Sequence, residues 1–342
     1  MSNAVVILFL SFGLALLATP VCGWLGNRLG IADRPGGRRR HQRPVSRLGG
    51  LGFALSFLLT IAGLWLWSPP AMPLLRTQLS GVVLGTVYVL IYGLIDDKFE
   101  LRAAPQFAWQ LGATLIAVAT TVWIQEVTLP FWGFQHFHPI IAIPLTIVWI
   151  MGMMNTINFL DGLDGLAAGV GGIAALLFAW HAYRLQQPHL ALYALALAGA
   201  CGGFLCFNFY PARVFLGSAG AMTLGYALAT LSILAPARVA TALLVLVIPI
   251  ADTAFQVVDR WRRGRSPVQG DRGHLHFRLQ DRGFSQRQIV VGYWFFCAVF
   301  GVLALTIPAP HYKLLALIAL VSIVSGFLIM LSRRQSDNNQ SD

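Results

Sequence analysis

Residues 139–172 read PIIAIPLTIVWIMGMMNTINFLDGLDGLAAGVGG, an apolar run followed by a polar cluster and then by a second apolar run. The first run has the composition of a membrane-spanning helix. The cluster contains four polar residues at intervals of three, Asn155, Asn158, Asp161 and Asp164. On a helix this spacing places them along one face. Because polar groups are costly in lipid, we expect this face to line a water-filled cleft, and helix capping explains one of the four at most.

The rest of the chain is equally apolar. Of its 342 residues, 57% are hydrophobic and 11% are charged, and the mean hydropathy is +0.69. This composition excludes a soluble globular domain and indicates a polytopic membrane protein. We predict an all-α bundle of about eleven membrane helices in one domain, residues 1–332, with a polar cytoplasmic tail, 333–342. The predicted spans are 4–22, 48–67, 79–95, 107–124, 139–154, 163–181, 189–207, 219–234, 239–255, 289–307 and 312–331.

The charge distribution predicts the orientation of the bundle. If the N-terminus lies outside and the C-terminus inside, the only basic residues left outside among the 24 lysines and arginines are Arg76, Arg184, Arg238 and Lys313. This asymmetry is expected from the positive-inside rule. All 13 acidic residues except Glu126 also lie inside or at the inner ends of spans. The net charge of +11 is then explained by topology and anionic headgroups, without nucleic acid as a partner.

A second polar feature follows the third predicted span, in YGLIDDKFELR, residues 92–102. Adjacent carboxylates at a membrane boundary repel each other and lose hydration, so Asp96 and Asp97 require a compensating positive charge. Either Lys98 and Arg102 supply it, as at any solvated helix end, or a metal ion does.

Two further inner segments carry fewer signals. A turn rich in proline and glycine, NFYPARVFLGSAGAMTLG, residues 208–225, precedes the eighth span and serves either ligand contact or helix packing. Asp252 lies in the apolar run VIPIADTAF, residues 247–255. An ionisable residue within a span is a functional candidate, unless it pairs with an arginine of the following loop.

The last inner loop, RWRRGRSPVQGDRGHLHFRLQDRGFSQRQ, covers residues 260–288 and is rich in arginine. His274 and His276 have a spacing found in metal sites, but two histidines with no third ligand nearby make a poor zinc site. The guanidinium groups of Arg265 and Arg272 suit phosphate oxygens better. A basic loop beside headgroups would explain the arginines and leave the histidines unexplained.

Together these segments resemble the polyprenyl-phosphate N-acetylhexosamine-1-phosphate transferases, which are integral membrane enzymes. The resemblance rests on HQRPVSRLGG, DDKFEL, NTINFLDGLDG, FLGSAG and SPVQGDRGHLHF, in that order. It implies that the chain transfers a sugar 1-phosphate from UDP-N-acetylhexosamine to undecaprenyl phosphate and releases UMP, the initiating step of a bacterial cell-surface polysaccharide. The basic last loop and HLHFRL are more similar to the N-acetylglucosamine branch than to the muramyl-pentapeptide branch.

The resemblance also implies a role for each candidate residue. The implied catalytic residues are Asp96, Asp97, Asp161 and Asp164. The implied substrate-binding residues are Asn155, Asn158, Asp252, Arg265, Asp271, Arg272, His274 and His276. The implied cofactor is Mg²⁺, which Mn²⁺ can replace, and its implied ligands are Asp97, Asn158, Asp164 and Ser218.

The chain departs from the family pattern at two positions. Ser218 stands where the family normally has an aspartate that is taken as a magnesium ligand, and Phe277 stands where a further histidine is usual. A serine hydroxyl is a weak neutral ligand, whereas Mg²⁺ prefers carboxylates and phosphates. Either Asp97, Asp164 or a water molecule completes the coordination, or the chain is a catalytically impaired or engineered form.

The resemblance implies a location in the bacterial inner membrane, with the active site on the cytoplasmic face, and leaves a homodimer open. The alternative function is a membrane transporter, because carboxylates and amides within spans also mark ion pathways. Transporter sites lie near the bilayer midplane between internal repeats. Here the acidic residues gather at the inner ends of spans and no repeat is evident, which favours the transferase.

Overall fold

The computed structural model describes residues 2–33, 44–129, 131–234, 238–262, 264, 273–307 and 309–338. This part of the chain is almost entirely helical, with two short antiparallel hairpins. Its helices are α1 (Ser2–Arg28), α2 (Gly49–Trp67), α3 (Pro73–Phe99), α4 (Ala103–Ala119), α5 (Pro139–Leu160), α6 (Leu166–Arg184), α7 (Pro188–Asn208), α8 (Gly217–Ile233), α9 (Arg238–Val245), α10 (Val247–Arg262), α11 (Leu275–Asp281), α12 (Gln286–Thr306) and α13 (Pro310–Asn338). Its strands are β1 (Ala32–Asp33), β2 (Val45–Ser46), β3 (Glu126–Leu129) and β4 (Gly133–His136).

The all-α membrane fold is confirmed, and every predicted span overlaps a helix. Within the described ranges, eight helices are long and apolar enough to cross a membrane, or nine if the bent pair α9 and α10 forms one span. The two remaining spans correspond to α4 and α8, which have 17 residues each. About 26 Å of helix lies at the lower limit for crossing the hydrocarbon core. The count of eleven and the orientation of the termini stay predictions.

The predicted span 239–255 is not one continuous helix. α9 and α10 meet at an angle of 83° around Leu246. Pro249 lies in the first turn of α10, where a helix tolerates proline because the N–H groups there have no partner within the helix. A continuous helix would instead place Pro249 in its interior and lose a backbone hydrogen bond. The hydropathy of residues 239–255 gives no sign of this break, because the apolar run continues across it.

The centre of the bundle is α8, which packs against α2, α3, α5 and α6. Nearly every residue of α8 is buried, and many are glycine, alanine or threonine. Small residues let neighbouring backbones approach closely. Gly93 of α3 lies directly against Ala219, and Gly50 of α2 against Gly220. The N-terminal end of α8 is thereby held next to the polar end of α3.

The polar ends of α3, α5 and α8 meet the start of α11 at one face of the bundle. The β1–β2 hairpin belongs to this face, with Ala32 paired to Ser46 and Asp33 to Val45, and Ser46 also bridges to Val214. The β3–β4 hairpin connects α4 to α5 at their other ends. This arrangement gathers the candidate residues that are far apart in sequence.

The predictions for the C-terminal tail and for the last inner loop have different outcomes. α13 continues to Asn338, past the predicted start of a polar tail at residue 333. Arg265, Asp271 and Arg272, three of the predicted substrate-binding residues, lie outside the described residues.

Candidate active site

Asp97 lies at the C-terminal end of α3 and caps α8. Its buried carboxylate accepts one hydrogen bond on each oxygen, from Ser218 N to Oδ1 at 2.7 Å and from Ala219 N to Oδ2 at 3.0 Å. The first N–H groups of a helix have no partner within the helix, and a negative charge is favourable there. Gly217 has φ +67°, and a Cβ at this position would lie 2.7 Å from Asp97 Oδ2. Glycine at 217 therefore allows the carboxylate to reach the helix end.

Asp96 is also buried but contacts a different part of the bundle. Its Oδ1 accepts hydrogen bonds from Leu101 N at 3.1 Å and from Gln106 Nε2 at 3.0 Å. Gln106 lies in the first turn of α4, so Asp96 fixes the connection between α3 and α4. No described residue donates a hydrogen bond to Oδ2. One oxygen of this carboxylate is held by the protein, and the second is not.

The last turns of α5 carry the two asparagines. Asn155 Nδ2 donates to Gln110 Oε1 and to Met151 O, both at 2.7 Å, and Gln110 Nε2 donates back to Asn155 Oδ1 at 3.3 Å. This amide pair joins α5 to the buried face of α4. Asn158 is half-buried and makes no hydrogen bond within the described residues. Its amide is a polar group that this face offers to a ligand.

The turn after α5 joins two predicted site segments. α5 ends at Leu160, Asp161 is its C-cap residue, and Asp164 Oδ2 accepts a hydrogen bond from Ala212 N at 3.0 Å. A Cβ at Gly162 would lie 2.4 Å from His276 Nε2. Glycine at 162 therefore lets the histidine ring pack directly on the backbone of the polar turn. The segment with the aspartates and the segment with the histidines are in contact.

Asp252 of α10 anchors the histidine segment. Its Oδ1 accepts a hydrogen bond from Leu275 N at 3.0 Å, and its Oδ2 lies 3.0 Å from His274 Nδ1. The expected alternative partner was an arginine of the following loop, and the observed partners are the start of α11 and a histidine. Both oxygens of Asp252 are engaged within the protein.

Arg47 holds three inner segments together. Its guanidinium donates to Asp33 Oδ1 and to Glu100 Oε1, both at 2.7 Å, and its carbonyl oxygen lies against Gly217. Burial alone would lower the pKa of this guanidinium, but the hydrogen bonds to the two carboxylates raise the pKa above its ordinary value. Arg47 thus contributes a fixed positive charge beside the start of α8.

An apolar groove of about 530 Å³ ends at this polar cluster. It runs along α5 from Leu145 to Phe159 and is closed on its other side by Ile250 to Val257 of α10 and by Phe107 of α4. A stretch of α5 of this length spans about 21 Å. Asn155 is one of the few polar residues in the lining.

A magnesium ion would find oxygen donors at this face but no closed site. No three His, Cys, Asp or Glu side chains converge on one point within the described ranges. The Ser218 hydroxyl and the Asn158 amide are half-buried and have no hydrogen-bond partner in the same ranges, and the Asp164 carboxylate lies in the turn after α5. Mg²⁺ in phosphate-transferring sites usually takes one or two carboxylates and completes its shell with substrate phosphates and water. The donors fit such a partial site.

Known proteins are similar to this chain over nearly its whole length. A family model described as "Glycosyl transferase family 4" matches residues 79–236. The chain is 32% identical to the "Decaprenyl-phosphate N-acetylglucosaminephosphotransferase" of Mycolicibacterium smegmatis, over 95% of this chain and 89% of that protein. The chain belongs to glycosyl transferase family 4.

Other relatives of this family 4 transferase fall into two groups. It is 28% identical to the "Probable undecaprenyl-phosphate N-acetylglucosaminyl 1-phosphate transferase" of Bacillus subtilis, over 95% of this chain and 90% of that protein. It is 30% identical to the "Phospho-N-acetylmuramoyl-pentapeptide-transferase" of Halalkalibacterium halodurans, over 87% of this chain and 95% of that protein. The resemblance expected from the motifs is confirmed, and membership in a family of enzymes excludes the transporter alternative.

Sequence reasoning missed the residues that hold the transferase site together. Gln106 and Gln110 each bond a predicted site residue, and both precede or lie within an apolar span. Two glutamines at an i, i+4 spacing on one face of a membrane helix are a signal that could have found them. Arg260, which contacts His274, was only one arginine among many in the basic loop. No pattern in the sequence distinguishes it.

Proposed function

We propose that this transferase moves an N-acetylhexosamine 1-phosphate from a UDP-sugar to undecaprenyl phosphate and releases UMP. The relatives named above act, by their names, with decaprenyl or undecaprenyl phosphate and with N-acetylglucosamine or N-acetylmuramoyl-pentapeptide groups. The observation that carries the proposal is the apolar groove that ends at the polar cluster. A lipid with a phosphate head requires this combination.

The groove connects directly to the candidate catalytic residues. Phe107 lines the groove, and its neighbour Gln106 donates to Asp96. Asn155 lines the groove as well, and it is bonded to Gln110 one turn further along α4. A prenyl tail in the groove would therefore bring its phosphate to the side of the cluster that contains Asp96. The nucleotide sugar would then occupy the side formed by the polar turn and the histidines.

The chemistry requires the two anionic substrates to meet in line. A phosphate oxygen of the lipid attacks the phosphorus that bears the sugar, the bond between the two phosphates of the UDP-sugar breaks, and UMP leaves. Catalysis of this kind depends on positioning and on neutralisation of charge. A phosphate monoester has its second pKa near about 6, so the lipid phosphate is mostly dianionic at neutral pH and does not require a strong base. Asp96 then serves to orient a group at the phosphate.

Mg²⁺, or Mn²⁺ in its place, supplies neutralisation of phosphate charge when it is bound, and the residues that would hold it are Asn158, Asp164 and Ser218. Asp97, the fourth predicted ligand, already accepts a hydrogen bond from the start of α8 on each oxygen. The excess of basic residues at the polar ends of the helices supports a cytoplasmic active site in a bacterial inner membrane. UDP-N-acetylglucosamine is the proposed donor because HLHFRL resembles that branch. The product would begin a cell-surface polysaccharide.

The test is UMP release by the purified protein with undecaprenyl phosphate, Mg²⁺ and one of several UDP-sugars. We expect turnover with UDP-N-acetylglucosamine and a loss of about 100-fold or more in Asp96→Asn, because a misplaced reacting group costs that much. An asparagine keeps an oxygen for Leu101 N and Gln106, so this variant should fold. Glu126→Gln, which neutralises a carboxylate on the β3–β4 hairpin, is the matched control and should retain turnover. Release of UMP from UDP-muramyl-pentapeptide alone would contradict the proposed donor, and full activity of Asp96→Asn would contradict the proposed site.

A further inference from the structure

Three buried side chains form a connected network behind the histidine segment. Asp252, Arg260 and His274 are each no more than 4% exposed. His274 Nδ1 lies 3.0 Å from Asp252 Oδ2, and His274 Nε2 lies 3.4 Å from a guanidinium nitrogen of Arg260. Both partners belong to α10, two turns apart, and His274 caps the start of α11.

The chemistry of the two partners fixes the proton on the imidazole ring. An ionised carboxylate only accepts hydrogen bonds, so His274 Nδ1 must carry the hydrogen. A guanidinium only donates, so His274 Nε2 must accept. The two contacts therefore agree on one tautomer, the neutral ring protonated at Nδ1. Reversal of this tautomer would place a donor against a donor at Nε2 and an acceptor against an acceptor at Nδ1.

The ring that this network holds is the support for the candidate substrate site. His274 and His276 are nearly parallel, with ring centroids 5.7 Å apart and an angle of 12° between planes. Phe159 of α5 contacts the His274 ring, with 5.2 Å between centroids. His276 in turn packs on Gly162 in the polar turn. A rotation of the His274 ring would therefore move the side chain that contacts the aspartate segment.

We propose that Asp252 and Arg260 are positioning residues that lock His274 in its Nδ1-protonated form and thereby place His276 against the polar turn. This inference rests on the proposed function for its catalytic consequence, but the lock itself does not. Asp252 was expected to bind substrate directly, whereas here it acts through His274. Arg260 has a role distinct from the phosphate-binding arginines expected in the same loop.

The test compares Asp252→Asn with the double variant Asp252→Asn, Arg260→Gln. The introduced asparagine keeps an oxygen for Leu275 N but presents an N–H to His274 Nδ1, so the ring must move its hydrogen to Nε2, where it meets the Arg260 guanidinium. In the double variant the guanidinium is absent, so the hydrogen on His274 Nε2 no longer faces a donor in the reversed tautomer. Asp259→Asn is the matched control, because it removes a carboxylate from the same helix outside these three residues.

We expect Asp252→Asn to lower kcat at least tenfold and to lower the Tm, and the double variant to recover part of both, because it removes the conflict between two donors at His274 Nε2. Nitrogen-15 spectra of histidine-labelled protein in vesicles, with His274→Phe to assign the signal, should show the Nδ1-protonated form in the wild type and in Asp259→Asn and the Nε2-protonated form in the double variant. A wild-type His274 protonated at Nε2, or a double variant no better than Asp252→Asn, would overturn the lock.

Recovery of Tm without recovery of kcat would overturn the positioning role. The spectra and the Tm values do not require turnover, so they separate a failure of the lock from a failure of the proposed function.

Discussion

At the residue scale, the adjacent carboxylates Asp96 and Asp97 point into different parts of the bundle. Asp97 uses both oxygens to cap α8, and Asp96 uses one oxygen to hold the turn into α4. The sequence predicts that Lys98 and Arg102 or a metal ion compensates this acidic pair, but the hydrogen bonds that the described residues donate to it come from backbone N–H groups and from Gln106. The nature of the compensation was hidden, because Ser218 follows Asp97 by 121 residues and no local pattern links them.

Asparagine substitutions should separate these two roles. In Asp97→Asn one cap N–H would face the amide nitrogen, and an unsatisfied buried donor costs about 1–3 kcal/mol. Asp96→Asn keeps its oxygen for both existing hydrogen bonds and should lose much less stability. Thermal unfolding of the detergent-solubilised variants measures the difference, and we expect a clearly lower Tm for Asp97→Asn. Equal Tm values for the two variants would show that the cap contributes nothing.

Ser218 offers a second prediction at this scale. An aspartate at 218 would add a carboxylate beside Asp97, so without a metal ion the two charges repel and the Tm should fall. With Mg²⁺ the same carboxylate should improve metal binding, by about tenfold for each 1.4 kcal/mol gained. Ser218→Asp should therefore show a larger Mg²⁺-dependent rise in Tm than the wild type.

The neutral variant Ser218→Asn is the matched control and should behave like the wild type. We expect the wild type to release UMP as well, but at a higher Mg²⁺ concentration than Ser218→Asp needs. If only Ser218→Asp releases UMP, the natural chain is an impaired form of the enzyme. If the Tm of Ser218→Asp does not respond to Mg²⁺, position 218 lies outside the metal site.

At the scale of elements, apolar length and loop charge are enough to predict where most helices lie. They are not enough for the bend between α9 and α10, because the apolar run is continuous across Leu246 and the break depends on Pro249 lying in the first turn of a new helix. They also miss the groove, because its walls come from α4, α5 and α10. The sequence predicts that the polar residues from Asn155 to Asp164 share one helix face, because a spacing of three fits a continuing helix. α5 instead ends at Leu160, so the two aspartates lie in the turn that follows.

The groove can be tested by filling it. Gly152 lies on the wall formed by α5, and a Cβ there would meet no atom within 4 Å. Gly152→Leu should therefore fold normally and place its side chain in the groove. We expect a higher KM for undecaprenyl phosphate, about tenfold for the loss of about 1–2 kcal/mol of apolar burial, with little change in the KM for the UDP-sugar.

Gly63 is the matched control, because it is exposed on α2 and a Cβ there also meets nothing within 4 Å. Gly63→Leu should leave both KM values unchanged. A Gly152→Leu variant with an unchanged KM for the lipid, or with a raised KM for the UDP-sugar alone, would place the prenyl tail elsewhere.

At the scale of the whole molecule, one protein surface must receive a water-soluble nucleotide and a lipid. The central helix α8 is rich in small residues, and α2 and the polar end of α3 pack closely against it. The buried candidate carboxylates Asp96 and Asp97 lie in the last turn of the apolar helix α3. The sequence predicts this gathering at one face from charge alone, but the contacts that achieve it depend on tertiary packing.

The groove is bounded by side chains that are themselves exposed on the outside of the bundle, including Leu145, Val148 and Val257. A prenyl lipid bound in this groove, as proposed above, would therefore enter sideways from the bilayer without crossing water. Its effective concentration is then its mole fraction in the membrane plane, not its molarity in the tube. Added detergent or inert phospholipid would lower this mole fraction while the total amount of acceptor lipid stays constant. The apparent affinity for the lipid acceptor would therefore depend on how much other amphiphile is present, whereas the apparent affinity for the nucleotide would not.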